Sequence, residues 1–255
     1  MKIFFVKKRT IATYFLIFIL TSVSILYTQG ITPRTIQVFM NPERQLPIYS
    51  VETPEKKIAI SFDAAWGDEY TQEILDILEE HNIKSTFFLV GFWVDKYPHQ
   101  VKKIFDEGHE IGNHSSTHPD MAKISQEEII KELNVTGEKI EKIIGKKPIL
   151  LRPPYGAYNN TLLTTAKEEG YYTIQWDVDS LDWKELGVEP MVERVTSKVK
   201  NGSIVLFHNN AKYLTQALPN ILKTLQDEGY EIIPISELIY KEDYHIDHEG
   251  RQHKN

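Results

Sequence analysis

The 255-residue chain has no cysteine. That excludes a disulfide framework, thiolate metal ligands and a cysteine nucleophile, and it leaves an oxidising compartment permitted. Acidic residues are missing from the first 34 positions, which carry Lys2, Lys7, Lys8, Arg9 and Arg34. The remaining residues hold 24 Lys+Arg against 36 Asp+Glu, so an acidic body of net charge −12 lies behind a basic head, within a whole-chain charge of −7. An acidic body lacks the clustered Lys/Arg that neutralise phosphates, so nucleic acid is excluded as a partner. Internal repeats and low-complexity segments are also absent. With 41% hydrophobic residues the chain can build a sizeable core, which rules out wholesale disorder.

No charge interrupts Thr10–Pro33, and Ile11–Tyr27 is its most apolar part. Seventeen helical residues span roughly 25 Å, close to the hydrocarbon thickness of a bilayer. Basic residues ahead of such a run predict a cytoplasmic N-terminus and an exported body. No A-x-A cleavage site follows, since the sequence reads Ser24-Ile-Leu-Tyr-Thr-Gln-Gly30. Residues 1–30 are therefore expected to form a basic head and a transmembrane signal anchor, with a cleaved signal peptide as the alternative. Pro33, Pro42, Pro47 and Pro54 mark 31–56 as an extended linker. Residues 57–240 form the folded domain, and 241–255 a polar tail expected to fray, although His245, His248 and His253 there could take up metal adventitiously.

Within 57–240, short apolar runs alternate with helical periodicity about seven times. Ile58–Phe62, Thr86–Val90, Glu110–Ile111, Ile149–Leu151, Tyr171–Trp176, Ser203–Phe207 and Ile232–Ile233 read as strands. Tyr70–Glu80, Val94–Asp106, Ser125–Ile144, Thr161–Glu169, a helix from about Pro190 to Lys200, Leu214–Glu228 and Ser236–Tyr240 read as helices. Ser125-Gln-Glu-Glu128 is a capping box and Gly145 a stop signal. Strand and helix in alternation predict a parallel α/β sheet. About 185 residues is short for an eight-unit barrel, so a barrel of fewer units and an open doubly wound sheet both fit.

Either architecture puts chemistry at the carboxyl ends of the strands. Five strand ends carry ionisable groups: Asp63; His114 with His118; Arg152; Asp177, Asp179 and Asp182; and His208. A His-x-x-x-His spacing puts two imidazoles one helical turn apart, where both reach one ion. Two imidazoles with carboxylate and water suit a hard or borderline divalent metal. Each group alone has a plain structural explanation, but their coincidence at one end of separate strands points to a site.

The same segments resemble the polysaccharide deacetylase family, the carbohydrate esterases with the NodB homology domain. Ser61-Phe62-Asp63 resembles its first motif, Thr-Phe-Asp-Asp. His114–His118 resembles His-Ser/Thr-x-x-His, Arg152–Tyr155 resembles Arg-x-Pro-Tyr, Asp179–Trp183 resembles Asp-x-x-Asp-Trp, and Leu206-Phe207-His208 resembles Leu-x-His. The order is the family's, and the likeness covers about residues 57–240. It implies a single-domain distorted (β/α)7 barrel behind the N-terminal segment, and metal-dependent N-deacetylation of N-acetylated glycans such as peptidoglycan or chitin-like oligomers. The anchor and the Phe62-Asp-x-x-Trp66-Gly67 variant resemble the sporulation-associated branch. The family's second motif-one aspartate, a metal ligand, is here Ala64.

The resemblance further implies roles. His114 and His118 hold the metal, expected to be Zn2+ with Co2+, Ni2+ or Mn2+ as alternatives. Asp63 is the general base and Arg152 orients it. His208, kept protonated by Asp182, is the general acid, and the Tyr155 N–H faces the oxyanion. Trp183 and Leu206 line the acetyl pocket. With one anionic ligand missing, Asp63, Asp68 or water must fill the gap. A catalytically weak or inactive glycan-binding protein is the alternative reading. A phosphoesterase is disfavoured, because such sites gather several carboxylates around two metals.

Overall fold

In the computed structural model, residues 14–18, 21–22 and 44–255 are described. The chain divides into two compact units, Met1–Arg44 and Gln45–Asn255. In the first, residues 14–18 and 21–22 are helical. Among the described residues no helix is long and apolar enough to cross a membrane, and most of the expected anchor lies outside them.

The second unit begins with β1 (Ser50–Val51) and β2 (Lys57–Ala64), then α1 (Thr71–Glu80), β3 (Thr86–Leu89), α2 (Gly91–Lys96), α3 (Pro98–Asp106) and β4 (Glu110–Asn113). It continues with α4 (Gln126–Ile144), β5 (Leu150–Leu151), α5 (Asn160–Glu168), β6 (Tyr172–Thr173), β7 (Val178–Asp179), α6 (Val188–Thr196) and β8 (Ile204–His208). It closes with α7 (Leu214–Asp227), β9 (Glu231–Ile232), α8 (Ile235–Leu238), β10 (Tyr244–Ile246) and β11 (Arg251–Lys254). The main sheet is parallel and curled, in the order β6-β5-β4-β3-β2-β8-β7, with β9 added to β2. It is a single α/β domain of the half-barrel type, open between β6 and β7.

Both faces of this sheet are covered, so its strands are buried and largely apolar. Ile58, Ile60, Phe62 and Ala64 share one cluster with Leu75 and Leu78 of α1 and Leu218 and Leu222 of α7. Ala59 belongs to a second cluster with Ile48, Phe88, Leu150, Ile174 and Ile204. Each such side chain removed from water contributes about 1.5–3 kcal/mol. α4 begins and ends where the sequence places it. Ser125 Oγ accepts from the Glu128 N–H while a Glu128 carboxylate oxygen accepts from the Ser125 N–H, and Gly145 stops the helix at φ 73°.

Four expectations need correction. The helix read over Val94–Asp106 is two helices, because Tyr97 precedes Pro98 and leaves the helical region at φ −127°, ψ 51°. The strand read over Tyr171–Trp176 is β6 alone, and β7 follows as a separate strand beside β8. The boundaries 57–240 are too narrow. The Ile48 N–H donates to the Thr173 carbonyl on one side of the sheet opening, and the Val51 N–H donates to the Gly202 carbonyl on the other. The expected linker is thus, from Gln45, a seam across the opening. A Cβ on Gly202 would fall 1.7 Å from the Val51 carbonyl oxygen, so the seam needs glycine there. The tail does not fray: β10 and β11 form an antiparallel hairpin and β1 pairs with β11. Buried Gln252 accepts from the Tyr240 N–H and donates to the Tyr240 carbonyl, a link no local sequence pattern announces.

One buried histidine lies outside the candidate site. His109, 3% exposed, accepts from the Ser85 N–H, and its Nε2 has no hydrogen-bond partner. Burial, reinforced by the Lys84 charge, pushes the imidazole down to about 4. The unfolded chain then binds the extra proton first, so stability is lost as pH falls from about 6.5 to about 4, by up to about 3 kcal/mol. His109→Gln keeps an acceptor without titrating. Its melting temperature is expected to fall less than that of wild type between pH 7.5 and 4.5; equal falls would refute this.

Candidate active site

Register aligns the site before any side chain is considered. Asp63 on β2 lies beside His208 on β8, and Asn113 on β4 lies beside Leu151 on β5, which sets His114 next to Arg152. Beyond these strand ends opens a cleft of about 630 Å³, within the usual range for small-ligand sites. Asp63, His114, His118, Tyr155, Asp182, Trp183, Leu206 and His208 all line it.

Asp63 is 6% exposed and Arg152 fully buried. Arg152 Nη1 donates to Asp63 Oδ1 at 2.8 Å, and Nη2 donates to the Gln175 carbonyl at 3.2 Å. The guanidinium carbon lies 4.2 Å from the Phe88 ring centre and 5.5 Å from that of Trp176, fixing the fork between two aromatic faces. Burial alone would raise the Asp63 carboxyl. The charge of Arg152, reinforced by its hydrogen bond, outweighs it and holds the group below the usual carboxylate range.

His114 Nδ1 lies 2.6 Å from the Arg152 carbonyl, and Nε2 lies 3.5 Å from Asp63 Oδ2. A carbonyl accepts only, so Nδ1 carries the proton and Nε2 the lone pair. Burial lowers the His114 imidazole, and chiefly burial takes His118 down to about 4. Both are therefore neutral and able to ligate near pH 7. Their ring centres are 5.0 Å apart.

The pair does not lie on a helical turn, as the spacing suggested. It lies on a loop in which Ser115 and His118 adopt φ 66° and 59°. Glu132 of α4 clasps this loop, accepting from the Ser116 and Thr117 N–H groups and from Thr117 Oγ1 at 2.7–2.8 Å. Thr136 Oγ1 donates to the Ser115 carbonyl, and Asn113 Oδ1 accepts from the Ser115 N–H. Among the described residues, five of the seven non-glycine residues with positive φ are Ser115, His118, Tyr155, Leu181 and Glu185. Three of the five line the cleft and the other two adjoin lining residues, and strain held in this way is typical of functional sites.

The family's metal can be tested against these atoms. The buried Nδ1 of His118 has no hydrogen-bond partner, an orphan that a cation would satisfy. Ala64 offers no donor. Asp68 accepts instead from Gln100 Nε2 at 3.1 Å and does not line the cleft. Among the described residues no group of three His, Cys, Asp or Glu could hold a metal ion. The donors that would hold a divalent ion are therefore the two imidazoles of His114 and His118.

On the facing wall, Asp182 is 1% exposed. It accepts at 2.7 Å from the His208 N–H and lies 2.7 Å from His208 Nδ1. Burial opposes a charge on His208, but the hydrogen bond and charge of Asp182 outweigh it and raise the imidazole above its ordinary value. Leu206 is buried, whereas Tyr155 and Trp183 are 69% and 57% exposed. Sequence reasoning missed Glu132, Gln175, Trp176 and Trp66. The first three act through contacts between distant segments, whereas Trp66, next to a strand end, carried a readable signal.

A family model described as polysaccharide deacetylase matches residues 50–174. A peptidoglycan-N-acetylglucosamine deacetylase of Bacillus cereus is 39% identical over 196 residues, covering 75% of this chain and 92% of that protein. The chain belongs to the polysaccharide deacetylase family. An uncharacterized protein of Bacillus subtilis, YlxY, is 37% identical over 193 residues, and this chain covers 76% of its own length but only 60% of YlxY's. The crystal structure of wild-type BA3943 from Bacillus anthracis, described as a CE4 family pseudoenzyme, matches with a TM-score of 0.74 at 34% identity, covering 82% of this chain and 73% of that one. A BA3943 mutant is described as having restored enzymatic activity. This polysaccharide deacetylase therefore resembles both an enzyme and a pseudoenzyme.

Proposed function

We propose that the protein is a metal-dependent hydrolase that removes N-acetyl groups from N-acetylglucosamine-type glycans, peptidoglycan or chitin-like oligomers. The observation that carries this is the division of one cleft into a carboxylate wall, Asp63 with Arg152, and an imidazole wall, His208 with Asp182. Likeness to the Bacillus cereus deacetylase supports it. The site suits an acetamide, whose carbonyl is a poor electrophile and whose amine leaves badly.

Zn2+ or a similar ion, held by His114 and His118, would polarise the acetyl carbonyl and make water more acidic. Asp63, ionised by Arg152, takes the proton of the attacking water. The Tyr155 N–H meets the developing oxyanion. His208, steadied at Nδ1 by Asp182, gives the Nε2 proton to the departing amine. Leu206 and Trp183 hold the acetyl methyl. Amide and water thus become acetate and free amine.

The carboxyl is ionised above its lowered pKa and the imidazole is protonated below its raised one, so activity spans the pH interval between them. Asp182→Asn removes the charge that raises His208. The alkaline limb of kcat/KM should then move to lower pH, and an unmoved limb would refute the acid assignment.

Ala64 and the likeness to BA3943 favour a second reading, a glycan-binding protein with little turnover. Acetate release from chitooligosaccharide and peptidoglycan, with and without Zn2+, separates the two. Metal-dependent release supports the hydrolase, and sugar binding without release supports the binding protein. The basic head and apolar run support an extracytoplasmic body anchored by its N-terminus, as in the sporulation-associated branch. Recovery of the intact N-terminus in membrane fractions tests this, and a mature start near Gln29 would refute it.

A further inference from the structure

Trp66 is 57% exposed, although nothing in the acid–base machinery uses it. Its ring lies 6.3 Å from Phe92, itself 37% exposed, and 5.0 Å edge-on from His118. The short loop beneath it is fixed. Gly67, at φ 68°, gives its carbonyl to both Trp93 Nε1 (2.7 Å) and Asn209 Nδ2 (3.0 Å). A Cβ on Gly67 would also fall 2.1 Å from a Glu69 carboxylate oxygen. Exposing so large an apolar ring costs solvation, and packing does not account for it. Trp183, equally exposed, belongs to the opposite wall beside His208.

We infer that Trp66 and Phe92 form a stacking subsite for a pyranose ring adjoining the sugar whose acetamide is cleaved. This inference rests on the reading of the cleft as a glycan N-deacetylase site. The C–H face of a pyranose gains dispersion on an aromatic plane, and a plane held rigid before binding loses little entropy on contact. Edge contact with His118 sets the platform one neighbour away from the reacting acetamide. The lining charges argue against an anionic occupant. Asp179, Asp182 and Glu185 line the cleft with Lys212, which lies 3.6 Å from Glu185. An uncharged sugar is the occupant that suits both the apolar plane and this charge. The protein thus selects linked sugars over a single sugar through Trp66.

The test measures kcat/KM with Zn2+ on N-acetylglucosamine and its oligomers up to the tetramer, and calorimetric binding of the tetramer, for wild type, Trp66→Ala, Trp66→Phe and Phe92→Ala. For wild type, kcat/KM should rise from monomer to dimer. In Trp66→Ala the dimer-to-monomer ratio should fall about tenfold, and Trp66→Phe should keep most of the rise. Equal losses on monomer and dimer, or no loss, would overturn the inference. If wild type releases no acetate from any oligomer, the hydrolase reading fails, and calorimetry decides the subsite alone. Tetramer binding weakened by Trp66→Ala then supports it, whereas unchanged or undetectable wild-type binding refutes it.

Discussion

Ala64→Asp is expected to raise Zn2+ affinity at least about tenfold, since one further protein ligand worth 1.4 kcal/mol already gives that factor. Ala64 ends β2 one residue beyond Asp63, and its carbonyl accepts from the Val90 N–H at 3.1 Å. The backbone at this corner is therefore fixed. The position is fully buried, so an uncompensated carboxylate there is costly. The apo variant should melt below wild type, and Zn2+ should raise its melting temperature more than it raises wild type's, because the ion stabilises only the folded state. Acetate release should rise in parallel. Chelator competition and melting with and without Zn2+ measure both effects. An unchanged affinity would mean that Ala64 does not occupy a ligand position, and the two-imidazole account of the site would lose its explanation.

The contrast between Ala64 and the rest of the site defines what the sequence could convey. α4 was legible at both ends because its signals are local: a capping box and a left-handed glycine. β2 was legible because a strand buried on both faces is mostly apolar, and Asp63 stood out as the buried charge within the run. The His114–His118 loop carried the right residues in the wrong shape. Its conformation depends on Glu132, Thr136 and Asn113 binding its backbone, and such contacts have no period. The seam at Ile48–Val51 and the hairpin of β10 and β11 escaped for the same reason. Pro47 and the polar tail read as open chain until distant partners, Thr173, Gly202 and Tyr240, satisfied their hydrogen bonds. Residue types thus located the chemistry, while long-range hydrogen bonds set its geometry.

Asp63→Asn separates chemistry from stability in the same pair. An amide cannot take the proton of water, so kcat/KM should fall about 10²–10⁴-fold, the usual worth of general base catalysis. The amide still presents an oxygen to Arg152 Nη1, but the guanidinium, fully buried between Phe88 and Trp176, loses its counter-charge. Breaking a buried pair from one side costs about 3 kcal/mol or more, a drop on the order of 10 °C for a domain of this size. Replacing both partners, Asp63→Asn with Arg152→Met, leaves no unpaired charge and should recover most of the melting temperature while activity stays lost. Differential scanning calorimetry and acetate release on the same three proteins decide the matter. If Asp63→Asn keeps metal-dependent activity, Asp63 is not the base. If the double variant is less stable than the single one, packing of the arginine between its two rings outweighs its charge, and the role of Arg152 is to shape the wall rather than to ionise Asp63.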